Sequence, residues 1–490
     1  TDGEEAKKSG DFEQYVACGK GYLEIFNRDP EGAKSDEVLY NAGVCFEEGH
    51  SIGAAINMFK QLIERFKDSN SAKRAIARLG FNYGRIAWYD KAAEQFEEYA
   101  RRFSAEEDSL KAASDAVFYR KGTGEDELAI KDTELFVKKY KDKVKEASAA
   151  LYSMTAIYEK QGKSDEVVKH LQRYLGQYGN KGGVDRKVIA YQKIGQILWD
   201  QSCPVKGVNG ACVKITRERS TVQRKKKKRG GVDLPLQCGP ESKIKLVVVP
   251  RDAKKMKAAK DAFNAAIKAY QGGGEVPGEG DEKATRAALM IRSFAAAKFE
   301  LANERYESFL TLAFPTKLDF DKTKPKVVEK STKRFLDYIG QKEKLGLAAE
   351  EAYKAIVAIT GGGAHYAIAS AARAGQVWQN FSDQLYTAEI PQEVRSGEFA
   401  EDKVDAFCDE LATQATPLED RSVKAFDACL KTSTDLNWFN EWSQLCEREL
   451  GQIRPQDYPT ASEVRPPSDN VAPVIDLEPA VTVKDLEGTP

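Results

Sequence analysis

Residue types that carry chemistry are thinly spread along this 490-residue chain. Its three histidines, His50, His170 and His365, stand far apart; His50 falls in a turn and His170 beside an apolar helix face, where structural roles are the default. No GxSxG, P-loop, GxGxxG or HExxH pattern is present. The triplet Gly361 to Gly363 precedes a helix whose N-terminus could hold a phosphate. No Lys-Ser/Thr pair follows it, so a plain interhelical turn is expected. Glu97 and Glu98 lie on the solvent face of a helix and imply no cleft. We therefore expect no catalytic residue, no cofactor-binding site and a non-enzymatic protein.

The eight cysteines fall into three groups: Cys18 and Cys45, then Cys203, Cys212 and Cys238, then Cys408, Cys429 and Cys446. There is no CxxC pair and no neighbouring histidine, so the spacing argues against zinc or any other metal. An even count permits disulfides and hence an oxidising compartment. Single cysteines on apolar helix faces also serve as plain buried thiols, and both readings stay open on sequence alone.

Charge is balanced over the chain, with 75 basic and 76 acidic residues, so any electrostatic function is local. Residues 201–250 break that balance with twelve Lys and Arg against three acids. Their centre is the run Arg224, Lys225, Lys226, Lys227, Lys228, Arg229, set between two stretches that alternate like strands, CVKITRERSTVQ and SKIKLVVVP. A basic loop of this kind can shield a strand edge, contact an acidic protein or anionic polymer, or bind nucleic acid. No Phe, Tyr or Trp lies between Gln201 and Pro250 to stack on bases, which sets nucleic acid last.

The elements that carry these residues are organised around Arg74 to Ser104. Ile76, Leu79, Gly80 and Tyr83 share one helix face, a turn follows, and Ala92, Phe96 and Tyr99 resume the helical spacing. Gly80 and Ala92 are small where two helices must approach. Moving back 37 residues places Leu39, Ala42, Gly43, Phe46, Ala55, Phe59 and Leu62 on the same template, and the aromatics Phe66, Phe103, Tyr140 and Tyr178 recur at 37, 37 and 38. A helix pair that cannot bury its stripe alone asks for neighbours of its own kind. At these positions the chain resembles the tetratricopeptide repeat (TPR) family, best at 39–66 and 76–103, less at 151–178 and least at 113–140.

The resemblance implies an all-α fold, a right-handed TPR-like α-solenoid of antiparallel helix hairpins. To it we add a small β-hairpin insertion and an extended C-terminal tail. Residues 1–200 hold about four and a half repeat units. A fifth unit opens with Val188, Tyr191, Ile194, Gly195 and Leu198 but finds its second helix only at Ala259, Phe263, Ala266 and Tyr270, so the basic, Cys-containing hairpin at 201–250 lies inside a repeat. Residues 251–385 read as continued hairpins in which the small-then-aromatic signature has faded, with separate helices at Val327–Lys344 and Leu347–Ile359. Residues 386–451 form a helical cap whose segment NWFNEWSQLCEREL is expected as one helix carrying Trp438 and Trp442 on one face. With Phe439 these either close the solenoid or form an exposed anchor. Residues 452–490 hold seven of the seventeen prolines and read as an acidic extended tail.

Function is expected in surface. The first helices of TPR arrays bind peptides or docking segments, and on them the candidate groove residues are Tyr40, Asn41, Asn82, Arg85, Tyr152 and Lys193. The repeat style is similar to bacterial cell-envelope TPR proteins, namely outer-membrane assembly lipoproteins and, in the helical extension, myxobacterial gliding-motility proteins. The resemblance implies a scaffold in the periplasm or on the periplasmic face of the outer membrane, binding other proteins. The alternative is a cytosolic adaptor or nucleic-acid-associated regulator that uses the basic loop. No run of about 18 apolar residues is present, so a membrane is met only through a partner or a separate anchor. The opening TDGEEAKKSGDF has no secretory signal and no lipobox cysteine. Phe12 to Phe26 reads as a second helix lacking its first, so an earlier native start is expected.

Overall fold

The structure is a computed structural model, and it describes residues 12–219, 234–240, 242–359 and 361–459. Among them are sixteen helices and one two-stranded sheet, in two compact units that divide after Gly182. The basic run 224–229 and residues 460–490 of the tail lie outside the described residues.

The first unit is an α-solenoid of helix hairpins. In order it holds α1 (Phe12–Arg28), α2 (Ser35–Glu48), α3 (Ile52–Arg65), α4 (Asn70–Arg85), α5 (Tyr89–Arg102), α6 (Ser109–Thr123), α7 (Asp126–Lys139), α8 (Val144–Lys160) and α9 (Ser164–Tyr178), each packed on the next. Why these pairs close is visible at two contacts. A Cβ built on Gly43 would stand 2.5 Å from the Phe59 ring, and one on Gly80 would stand 2.9 Å from Phe96. The rings lie flat on bare backbone, so the large residue of each second helix fills the space the first helix leaves empty. Leu39, Phe59, Ile76 and Phe96 are almost wholly buried as a result.

The turns between paired helices repeat as faithfully as the cores. His50, Ala87, Gly124 and Gly162 all adopt left-handed backbone, with φ of 56°, 58°, 77° and 68°, at spacings of 37, 37 and 38 residues. The reversal needs that conformation whatever residue is available, and only two of the four sites supply glycine. At the start of α4 the linker contributes a cap: Ser69 Oγ accepts from Ala72 N–H at 3.0 Å.

The second unit begins with α10 (Val184–Ser202), then β1 (Val213–Arg219), β2 (Ser242–Val248) and α11 (Ala253–Gln271). A Cβ on Gly195 would fall 2.5 Å from Phe263, the same contact as in the first unit. The β-hairpin lies between the two helices that make this contact. β1 and β2 are antiparallel, in register from Val213 opposite Val248 to Arg219 opposite Ser242. The helices α12 (Gly280–Thr311), α13 (Pro325–Val357), α14 (Ala364–Tyr386), α15 (Ala400–Asp435) and α16 (Glu441–Ile453) follow.

Three expectations are corrected here. The two helices expected over 327–359 are one helix, α13; Gly346 at the expected break lets Phe309, Val377 and Trp378 approach to about 3.4 Å of where its Cβ would be, and packing carries the helix through. The repeat signature has not faded entirely. A Cβ on Gly375 of α14 would lie 2.5 Å from Phe426 of α15, with Ser422 four residues before Phe426 where Ala55 and Ala92 stand before Phe59 and Phe96. Finally, α16 starts at Glu441 and not at Asn437. Asn440 caps it through Oδ1, accepting from Trp442 N–H at 3.0 Å and Ser443 N–H at 3.1 Å, while Ser443 Oγ accepts from Asn440 N–H. Trp438 and Trp442 thus do not share a helix face.

All eight cysteines are paired: Cys18–Cys45, Cys203–Cys212, Cys238–Cys408 and Cys429–Cys446. The first joins α1 to α2, and the last joins α15 to α16. The other two pin the insert at its entry and behind its loop.

Candidate protein-interaction surface

In the first unit the first helices α2 and α4 touch directly, and their shared face carries a charged network. Arg78 Nε donates to Tyr40 Oη at 2.9 Å and its Nη1 to Glu47 Oε1 at 3.1 Å. Asn82 Nδ2 donates to Glu47 Oε2 at 2.9 Å, and Arg85 Nη1 stands 3.8 Å from Glu47. The Arg74 guanidinium lies 4.2 Å over the Tyr40 ring, a cation–π contact. Burial pulls the Arg78 pKa down, yet Glu47 and Tyr40 outweigh it and hold the group above its ordinary value. Arg78 and Arg85 meet the Glu47 carboxylate while Arg74 stacks on Tyr40, so three cations share this face with one paired carboxylate. Arg74 and Arg85 are exposed.

Of the six expected groove residues, the structure brings together Tyr40, Asn82 and Arg85. Asn82 is fully buried and so positions Glu47 instead of meeting a partner. Asn41 is exposed next to Tyr40 and takes no part in this network. Tyr152 lies half-buried on α8 with its ring edge-on to Tyr174, centroids 5.1 Å apart. Lys193 stands on α10 and belongs to the second unit. Glu47, Arg74 and Arg78 were not singled out from sequence. Arg78 occupies the repeat position of Asn41 one period later, which is the signal that finds it.

The next position in that series, Asp115 on α6, is raised to about 7 by burial, against the opposing effect of Lys111. One residue past Arg120 on the same helix, burial lowers Lys121 to about 8. Arg120 itself is held by Glu97 at 2.6 Å and by Glu125. Asp132 beside them rises to about 7, by burial first and then by Glu97.

The aromatic end divides. Trp442 is buried, edge-on to Phe299 with centroids 5.8 Å apart and 5.1 Å from the Arg373 guanidinium. It closes the core and is withdrawn as an anchor. Trp438 and Phe439 stay over a third exposed, in a turn fixed by Ser433, whose Oγ donates to Trp438 O at 2.6 Å.

Lys121 Nζ donates to Ser153 Oγ, whose own hydroxyl donates to Ala150 O at 2.7 Å, so backbone holds this serine. His170 Nε2–H donates to Leu151 O at 2.8 Å, and burial lowers its pKa. His365 is half-buried beside Asn440 and Glu441. Gly362 packs its bare Cα side on Ala288, so the glycine triplet is an interhelical turn. A depression of 530 Å³ between α3 and α5 is lined by Lys60, Glu64, Lys67, Gln95, Glu98 and Arg102, an ordinary ion-paired surface. Among the described residues no group of His, Cys, Asp and Glu is placed to hold a metal, and no helix is long and apolar enough to cross a membrane.

Residues 37–69, which span α2 and α3, match the tetratricopeptide repeat family model. The match places one tetratricopeptide repeat in the chain, on the α2–α3 hairpin of the solenoid. Among solved structures it is similar to a circular tandem repeat protein with novel repeat topology and enhanced subunit contact surfaces. That likeness has 12% identity over 91% of this chain and 85% of that chain, with a TM-score of 0.18, too loose to bear on the argument. Comparison with curated proteins finds no match. The candidate surface therefore rests on its own geometry, and the tetratricopeptide repeat suggests a protein-interaction scaffold.

Proposed function

We propose that this protein is a non-enzymatic scaffold of an oxidising cell-envelope space, periplasmic or at the periplasmic face of an outer membrane, that holds partner proteins on the first helices of its first unit. The observation that carries this reading is the α2–α4 face. Its Arg74, Arg78 and Arg85 are held in place by Tyr40, Glu47 and Asn82, and only one carboxylate opposes them. A preorganised positive face of this kind fits an acidic docking segment, because the side chains are ordered before the partner arrives. Pairing of all eight cysteines supports the compartment. A role in an envelope assembly such as a motility machine is the finer form of the same reading.

The test is a charge reversal in the full chain. Arg74→Glu with Arg85→Glu should remove copurifying partners from the native source while leaving helical content unchanged. Retention of every partner by the doubly reversed protein contradicts the reading. Eight free thiols under denaturing conditions, in protein from the native source, would contradict the compartment alone.

A further inference from the structure

The insert in the second unit offers a surface that the repeats do not. Its base is firmly held. Arg251 reaches Glu307 at 2.7 Å, Trp199 O at 2.8 Å and Gly210 O at 3.1 Å, Cys212 N–H donates to Glu307 at 2.7 Å, and Cys238 N–H donates to Ala388 O at 2.9 Å. The hairpin therefore stands on a rigid footing, closed by Cys203–Cys212 and Cys238–Cys408.

The hydrogen-bond pattern fixes which way each peptide group faces. Val249 N–H donates to Cys212 O at 2.8 Å, which makes those two a hydrogen-bonded pair. Antiparallel pairs alternate, so in the observed register Lys214, Thr216 and Glu218 turn their peptide groups toward β2. Ile215, Arg217 and Arg219 turn theirs away. β2 packs on α12, Leu246 and Val248 lie against the core beside the buried Val213 of β1, and the side of β1 away from β2 is an edge of the two-stranded sheet. Among the described residues no backbone group of another element bonds to Ile215, Arg217 or Arg219.

We propose that this outer edge of β1 receives an extended, acidic segment of a partner protein, which adds a third strand to the hairpin. Charge chooses the occupant. Residues 201–250 hold twelve basic residues against three acids, and Lys214 and Lys245 are exposed. A second copy would bring like charges together along the joint, the usual protection of an edge against its own kind. A strand that alternates acidic and apolar residues meets attraction instead, with its apolar side chains facing Ile215, which is 58% exposed. Main-chain bonds along the edge supply affinity and the flanking side chains supply selection. This site is argued from backbone geometry and stands whether or not the α2–α4 face binds.

The experiment uses the full oxidised chain and an acetylated peptide of alternating valine and glutamate. The peptide should bind, and binding should fall as salt rises. Arg217→Gln removes a charge and should weaken binding modestly. Arg217→Pro removes the charge and an outward N–H, and should weaken it by about tenfold more, with the amides of Lys214 and Thr216 still protected from exchange. As a check that needs no variant to fold, N-methylation of every second peptide amide should abolish binding in one parity and spare it in the other. Equal loss for the Gln and Pro variants, equal effect of both methylation parities, or equal competition by polyglutamate would reduce the site to a charge patch and overturn the proposal. So would failure of the peptide to bind, or self-association through β1.

Discussion

At the scale of single residues, two positions are strained or costly for reasons the fold makes plain. Ala87 sits at φ 58° in a turn where two of its three equivalents in the neighbouring repeats are glycine. A left-handed alanine costs roughly 1 kcal/mol relative to glycine. Ala87→Gly should therefore raise stability by about 1 kcal/mol, read as a higher urea midpoint with an unchanged slope. Lys342 is buried with its Nζ donating at 2.8 Å to Phe309 O and 2.8 Å to Leu312 O, at the end of α12. Burial lowers it from its ordinary 10.5 to about 7. Between those values the unfolded chain holds the proton that the folded chain has released, so folding strengthens as pH rises through that window. The unfolding free energy of the wild type, relative to Lys342→Met, should grow from pH 7.5 to 9.5 in denaturant titrations; a constant difference would mean that the amine stays charged in the fold.

At the scale of elements, what was legible from sequence is what repeats. Gly43 with Phe59 and Gly80 with Phe96 are each 16 residues apart, and periodicity exposes such pairs without knowledge of the fold. Gly195 with Phe263 is the same contact across an insertion, found because both flanks kept the pattern. Gly375 with Phe426 escaped because 51 residues separate them, and α15 is a long helix with Pro417 inside it. The start of α16 escaped for another reason: apolar spacing over Trp438 to Trp442 reads as helix, whereas Asn440 and Ser443 satisfy the free amides at a later start. The charged face on α2 and α4 was half legible, since spacing marks a first helix but not which of its side chains meet. The insert makes its own prediction. Cys238–Cys408 closes the longest loop, at 170 residues, so Cys238→Ser with Cys408→Ser should lower the stability of the second unit by about 2–4 kcal/mol. A calorimetric transition that does not move would show that polar contacts alone hold the insert.

At the scale of the molecule, hairpins that are incomplete alone build each unit, and the chemistry resides in surfaces presented by rigid elements. The disulfides join α1 to α2, tether the insert at two points and join α15 to α16. The α2–α4 face gathers Arg78 and Arg85 about Glu47 and lays Arg74 on the Tyr40 ring. The most direct measurement is site-specific photocrosslinking in the native host, with the reactive side chain placed at exposed Asn41 on the first-helix face or at exposed Asn57 on α3. The account predicts a discrete protein adduct from position 41 that disappears when Arg74 and Arg85 are reversed in charge, and none from position 57. An adduct from 57 with none from 41 would contradict it.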